Sequence, residues 1–278
     1  MPDVDQNLAN WSDDWDWSHR GDEWSRWWGG TPALWYSVLL PRIHAFVPTA
    51  TILEIAPGFG RWTQYLKDLA DRLVIVDLTQ ECIDGCRERF ADSTNIEYHV
   101  NDGRSLEMVE DGSVDFVFSF DSLVHVEAEV ITAYLNQLAV KLRPDGVGFM
   151  HHSNMGRYRR QSRLARRAPD RLLGPLMRRG VLVNLPAWRA ESVTAELFAA
   201  RCEQAGLACV SQELINWEYG RQLIDALSIF TPRGSRWDRP LETVRNRMFT
   251  DEARRAKRLY AATGFPSQQQ PPVRDRSV

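Results

Sequence analysis

The chain has 278 residues, 44% apolar and 26% charged, with a formal net charge of −3. That length supports one α/β domain with its own core plus terminal additions or an insertion. The near-balanced charge gives no whole-chain reason to expect nucleic acid as partner, although charge can be concentrated locally. Cys82, Cys86, Cys202 and Cys209 lack paired C-x-x-C zinc spacing, and a chain of this size does not need disulfide staples, so all four are expected reduced. No basic-then-apolar start and no run approaching the roughly 20 apolar residues of a membrane span stands in the sequence. The cytoplasm is therefore the expected location, and a homo-oligomer is compatible with everything read here.

Residues 1–48 form a Trp-rich N-terminal segment, with Trp11, Trp15, Trp17, Trp24, Trp27, Trp28 and Trp35 among Asp, Ser, Arg and Gly. Such aromatic density fits either a strap packed on the domain or a lid that stacks on a ligand. From residue 49 to 232 the pattern is that of one α/β domain. A predicted strand at 51–56 leads through a Gly-rich turn to a helix over 61–70, then a strand at 73–77 and a helix running through Phe90. Further strands are predicted at 96–100, 114–120 and 147–152, with a helix over 130–142 before the last of these. Ser192 is placed to cap a helix running to about Gln204, and 207–215 and 223–230 supply two last strands. Alternating strands and helices with short turns imply a parallel sheet wrapped on both faces.

Two stretches break the rhythm. Residues 156–190, read as an insertion, hold ten arginines against one aspartate, with Leu164, Leu172, Leu173, Leu176 and Met177 between them. Residues 233–278 form a C-terminal extension, and the Gln- and Pro-rich tail after Gly264 is expected to be disordered.

The turn after the first strand reads Glu54-Ile55-Ala56-Pro57-Gly58-Phe59-Gly60. A dinucleotide loop would carry a third small residue where Thr63 stands, so the pyrophosphate reading loses ground. An acidic residue inside the strand suits a ligand carrying an ammonium and a sulfonium instead. The segment resembles motif I of class I S-adenosylmethionine (SAM)-dependent methyltransferases, with Ala56 in place of the first glycine. That resemblance implies a Rossmann-like fold with a mostly parallel seven-stranded sheet and helices on both faces. It also implies that Asp77, at the end of the second strand, accepts from the ribose hydroxyls, and that Asp102-Gly103 lies beside the adenine. Glu54, Gly58, Gly60 and Phe120 complete the expected cofactor set. Taken singly, Asp77 or Asp102 could be a strand-end cap and the glycines turn residues; the ordered series is more specific than any member.

SAM is already reactive, so the protein must position an acceptor and, for a hydroxyl, remove its proton. Candidates near the strand ends are Asp121, His125 with Glu127, and the pair His151-His152. Strand alternation keeps the two neighbouring histidines from sharing one face, and His152, nearer the strand end, is the favoured base. Magnesium bound through Asp121 would help acidify a sugar hydroxyl. The wider string, including Trp28-Gly29-Gly30, Pro41-Arg42-Ile43-His44 and His151-His152-Ser153-Asn154, is similar to sugar O-methyltransferases of polysaccharide biosynthesis, the methylmannose and methylglucose type. The acceptor this implies is a saccharide or oligosaccharide hydroxyl. Rival readings are a phenol or amine methyltransferase of secondary metabolism, an RNA methyltransferase using the local arginines, and a non-catalytic partner on the same fold. Against base methylation, Ser119-Phe120-Asp121-Ser122 is not the Asn/Asp-Pro-Pro-aromatic sequence of many amino-nitrogen methylases, and no nucleophilic cysteine follows it.

Overall fold

The computed structural model describes residues 4–12, 16–167, 169–178, 181–183, 189–217 and 222–262. The expected disorder after Gly264 lies outside the described residues. The strands are β1 (Thr49–Ile55), β2 (Ala70–Asp77), β3 (Ile96–Val100), β4 (Val114–Ser119), β5 (Leu142–Ser153), β6 (Leu207–Ile215), β7 (Asp225–Pro232) and β8 (Glu242–Asn246). The α-helices are α1 (Val4–Ser12), α2 (Thr31–Leu34), α3 (Leu40–Ile43), α4 (Thr63–Leu66), α5 (Gln80–Arg89), α6 (Ala128–Lys141), α7 (Arg159–Ala165), α8 (Asp170–Arg178), α9 (Ala195–Gln204) and α10 (Phe249–Ala262).

The strands form one sheet in the order β3-β2-β1-β4-β5-β7-β6-β8. Pairing is parallel from β3 through β5. It is antiparallel where β7 inserts between β5 and β6, and parallel again between β6 and β8. The sheet is therefore mixed, with five parallel and two antiparallel pairings, and has eight strands where seven were expected. β8 escapes sequence reading because it is an edge strand with almost every residue exposed, so no alternation of apolar side chains marks it.

Side-chain alternation divides the core into two layers. Ile52, Ile75, Phe116, Phe118 and Phe149 pack with Trp28, Leu34, Trp35, Leu39 and Phe249 on one face. Leu53, Ile55, Val74, Val76, Val117 and Met150 pack with Ile131, Leu135, Leu138 and Phe198 on the other. Continuous apolar runs in β1, β2 and β4 are what burial on both faces requires.

Two predicted helices begin or end elsewhere. The helix after the Gly-rich turn covers only Thr63–Leu66, because the chain turns at once into β2 at Ala70. Asn95 Nδ2 donates to the carbonyls of Lys67 (2.8 Å) and Ala70 (2.9 Å), satisfying acceptors that a longer helix would have used internally. The cap of α9 is Thr194, whose hydroxyl accepts from Leu197 N at 3.0 Å, not Ser192. Ser192 Oγ accepts from Ala128 N at 2.9 Å and so serves the start of α6 instead.

Candidate active site

A cleft opens at the carboxyl ends of β1, β2 and β4, where the strand order reverses and open α/β sheets bind their ligands. Its floor is the turn after β1. Ala56, Gly58 and Gly60 all have positive φ, of 58°, 57° and 79°. Glycine is required at Gly60 on a second count: a Cβ there would stand 2.4 Å from the Phe90 ring. Four hydrogen bonds fix the turn. Gly58 N donates to Asp77 Oδ2 at 3.0 Å, Cys86 Sγ to Gly58 O at 3.1 Å, Arg89 Nη1 to Phe59 O at 2.9 Å and Ser122 Oγ to Ala56 O at 2.8 Å.

Of the expected cofactor residues, Gly58, Asp77, Gly103 and Phe120 line this cleft. Asp77 Oδ1 accepts from Thr79 N at 3.1 Å, and each carboxylate oxygen retains lone-pair capacity for a ribose hydroxyl. Burial pushes Asp77 up to about 6 against the bonds from Thr79 and Gly58 that favour its charged form. Glu54 and Gly60 lie beneath the turn instead of on the cleft wall. Glu54 accepts from Thr63 Oγ1 at 2.6 Å, its other oxygen has no partner, and burial raises it to about 8. Asp102 folds back on its own turn, accepting from Arg104 N (2.9 Å) and Ser105 N (2.7 Å), which holds its carboxyl below the usual range. The neighbouring Gly103 and Arg104 reach the cleft in its place.

The catalytic candidates separate. Asp121 and His125 line the cleft; His151 and His152 are fully buried and do not. His152 shares the Met150 face of β5, stacks on Phe198 with centroids 4.1 Å apart, and has its nitrogens 2.9 Å from Ser153 O and 2.8 Å from Ser228 Oγ. Burial pulls it down to about 4. His151 lies on the opposite face under Phe120 and Trp217. Its Nδ1 accepts from Asp121 N at 3.1 Å and its Nε2 stands 3.4 Å from Asp225 Oδ2. This bond supports Asp121 in a left-handed conformation, φ 66°, that is costly for a residue with a side chain.

The charges around Asp121 do not fit the expected magnesium site. Arg61 Nη2 contacts Asp121 Oδ2 at 2.9 Å, and Arg189 Nη2 approaches Oδ1 at 3.9 Å. Arg189 also donates to both oxygens of buried Asp225, at 2.9 and 3.1 Å. Burial pushes Asp225 up, but Arg189 and His151 more than offset it and hold its carboxyl low. Two guanidiniums thus face Asp121, and among the described residues no three His, Cys, Asp or Glu side chains gather as a metal-binding group. No step is assigned to a metal.

Part of the Trp-rich N-terminal segment lies over this cleft. Trp11, Trp17 and Trp24 line the cleft from above. Trp17 stacks on Phe59 at 4.6 Å, Trp11 packs 5.7 Å from the His125 ring, and Trp17 Nε1 donates to Trp11 O at 3.0 Å. Asp22 ties this segment down through Thr31 Oγ1 (2.7 Å) and Arg89 Nη2 (3.4 Å). Arg61 lies between Trp24 and Trp62, 5.2 and 4.6 Å from their rings, with Nη1 buried and without a hydrogen-bond partner. Its position directly after the Gly-rich turn was the available signal; nothing in the sequence marked Arg189 or Asp225.

A glycine turn after the central strand, a carboxylate at the end of its neighbour and helices on both sheet faces define the Rossmann-like methyltransferase fold. Residues 52–146 match a family model described as a methyltransferase domain. Phosphoethanolamine N-methyltransferase 1 of Triticum aestivum is 30% identical over 118 residues, 41% of this chain and 24% of that protein. The Caenorhabditis elegans protein of the same name is 29% identical over 114 residues, 41% of this chain and 23% of that one. The matched segment thus spans about a quarter of these relatives. A Pyrococcus horikoshii protein of solved structure superposes with a TM-score of 0.53 at 20% identity, covering 81% of this chain and 96% of that one. PKMT2 from Rickettsia typhi gives 0.52 at 14% identity, over 73% of this chain and 53% of that one. At such identities the likeness is one of fold.

Proposed function

We propose that the chain transfers a methyl group from SAM to a saccharide hydroxyl, with His125 accepting the proton. The observation that carries this reading is that His125 lines the same cleft as Gly58 and Asp77, whereas the buried His152 does not. SAM, when bound, supplies an electrophilic methyl group. Asp77 would hold the ribose hydroxyls, the glycine turn would let the ligand approach the backbone, and the Trp11, Trp17 and Trp24 roof would exclude water. An imidazole is suited to take a proton near neutral pH, and its neighbour Trp11 offers a flat apolar face of the kind that stacks on sugar rings. The walls carry Arg20, Arg61 and Arg104 together with Asp77, Asp121, Glu127 and Glu129, so their charge is mixed, and the arginines offer partners to an anionic group on the acceptor.

The same arginines and the names of the wheat and nematode relatives support a second reading, a phosphorylated amine as acceptor. Mass spectrometry of label transfer from SAM to a panel of oligosaccharides, phosphorylated amines, phenols and RNA separates the two. Labelled saccharide is expected; label only in an amine would replace the hydroxyl assignment while leaving the cofactor assignment standing.

A further inference from the structure

α7 and α8 follow the carboxyl end of β5, after the short turn Met155–Tyr158. Three arginines anchor this stretch to the domain. Arg157 contacts Glu196 and Arg166 contacts Glu191, each at 2.6 Å, and Arg159 Nε donates to Glu191 O at 2.6 Å. Arg160, Arg163, Arg167 and Arg171 are different: each is exposed, and no acidic side chain among the described residues pairs with them.

Aliphatic side chains accompany these cations. In α8, Leu172 and Leu176 stand one turn apart, as do Leu173 and Met177, and none of the four belongs to a hydrophobic cluster of the core. Leu164 is 61% and Leu172 46% exposed. Leu173, Leu176 and Met177 are half-buried, whereas Leu164 and Leu172 stand exposed beside arginines that have no acidic partner among the described residues; exposed leucines flanked by such cations match a surface that is apolar below and anionic above, which is the boundary of an anionic lipid bilayer. RNA would satisfy the arginines but not the leucines, which offer no aromatic face for a base to stack on.

We propose that α7 and α8 form a docking surface for anionic membranes. Leu164 and Leu172 enter the headgroup boundary, and Arg160, Arg163, Arg167 and Arg171 pair with lipid phosphates.

The test is co-sedimentation of the full chain with vesicles of phosphatidylcholine, with and without phosphatidylglycerol, at low and high salt. Binding is expected only with phosphatidylglycerol and should weaken as salt rises. Replacing the four arginines by glutamine should lower the partition coefficient on the order of 10²- to 10³-fold. Leu164→Ser with Leu172→Ser should lower it roughly tenfold or more while leaving the salt dependence, and unchanged thermal unfolding would show that the fold is kept. No binding by the wild-type chain, equal binding to phosphatidylcholine alone, indifference to the leucine substitutions, or tighter binding to an RNA oligonucleotide than to the vesicles would each overturn the proposal.

Discussion

Glu54→Gln isolates the electrostatic cost of a carboxyl buried under the glycine turn. Glu54 is 1% exposed, bonds only to Thr63 through one oxygen, and is raised from 4.5 to about 8, first by burial and further by the charge of Asp77. Its folded value is above its unfolded one, so between these limits the folded chain holds a proton that the unfolded chain has released. Stability must therefore fall as pH rises from about 4.5 to about 8. Integrated from pH 5.5 to 7.5, the loss is about 2.5 kcal/mol, or roughly 5 °C in Tm for a chain of this size. Glutamine stays neutral throughout. Its amide places a donor where Glu54 Oε1 has no partner, a cost of about 1–3 kcal/mol that does not vary with pH. The decisive quantity is thus the difference in Tm between variant and wild type, measured by calorimetry across that pH interval. It should move in favour of Glu54→Gln by about 5 °C as pH rises. A difference that stays flat would show that Glu54 is not held protonated and that the turn over it is open to water.

Asp77 sets a second pH dependence. Ribose hydroxyls donate to its charged form, so SAM affinity measured by titration calorimetry should fall as pH drops below about 6. Asp77→Ala should weaken binding on the order of 10²-fold, and unchanged affinity would remove Asp77 from the site. His125→Asn should cost about 10²- to 10⁴-fold in kcat while SAM affinity holds. His152→Ala should mainly lower Tm, because it empties a space against Phe198 and leaves Ser228 without its 2.8 Å partner; a selective loss of turnover would return the base to His152. EDTA should leave the transfer rate unchanged, since arginines rather than further carboxylates face Asp121; inhibition reversed by magnesium would refute that reading.

The strands and turn that build the cleft were legible because their signals are local. Buried parallel strands must be apolar throughout, and a turn with positive φ selects glycine, as at Gly58 and Gly60. Asp77 could be found by its place at a strand end. β8 could not, since an exposed edge strand has no pattern to read. Nor could the choice among Asp121, His125, His151 and His152: alternation separates the two neighbouring histidines but does not say which face meets the cleft.

By itself the sequence determined the alternating α/β architecture, the glycine turn and the acid at the end of the second strand, all consequences of backbone geometry over a few residues. Tertiary structure alone decided which groups act together. It brought Arg61, Asp121, Arg189 and Asp225, spread over 164 positions of chain, into one charge network, and laid Trp11, Trp17 and Trp24 over the cleft. Long-range contacts of this kind depend on how strands are ordered in the sheet, and no local spacing encodes that order.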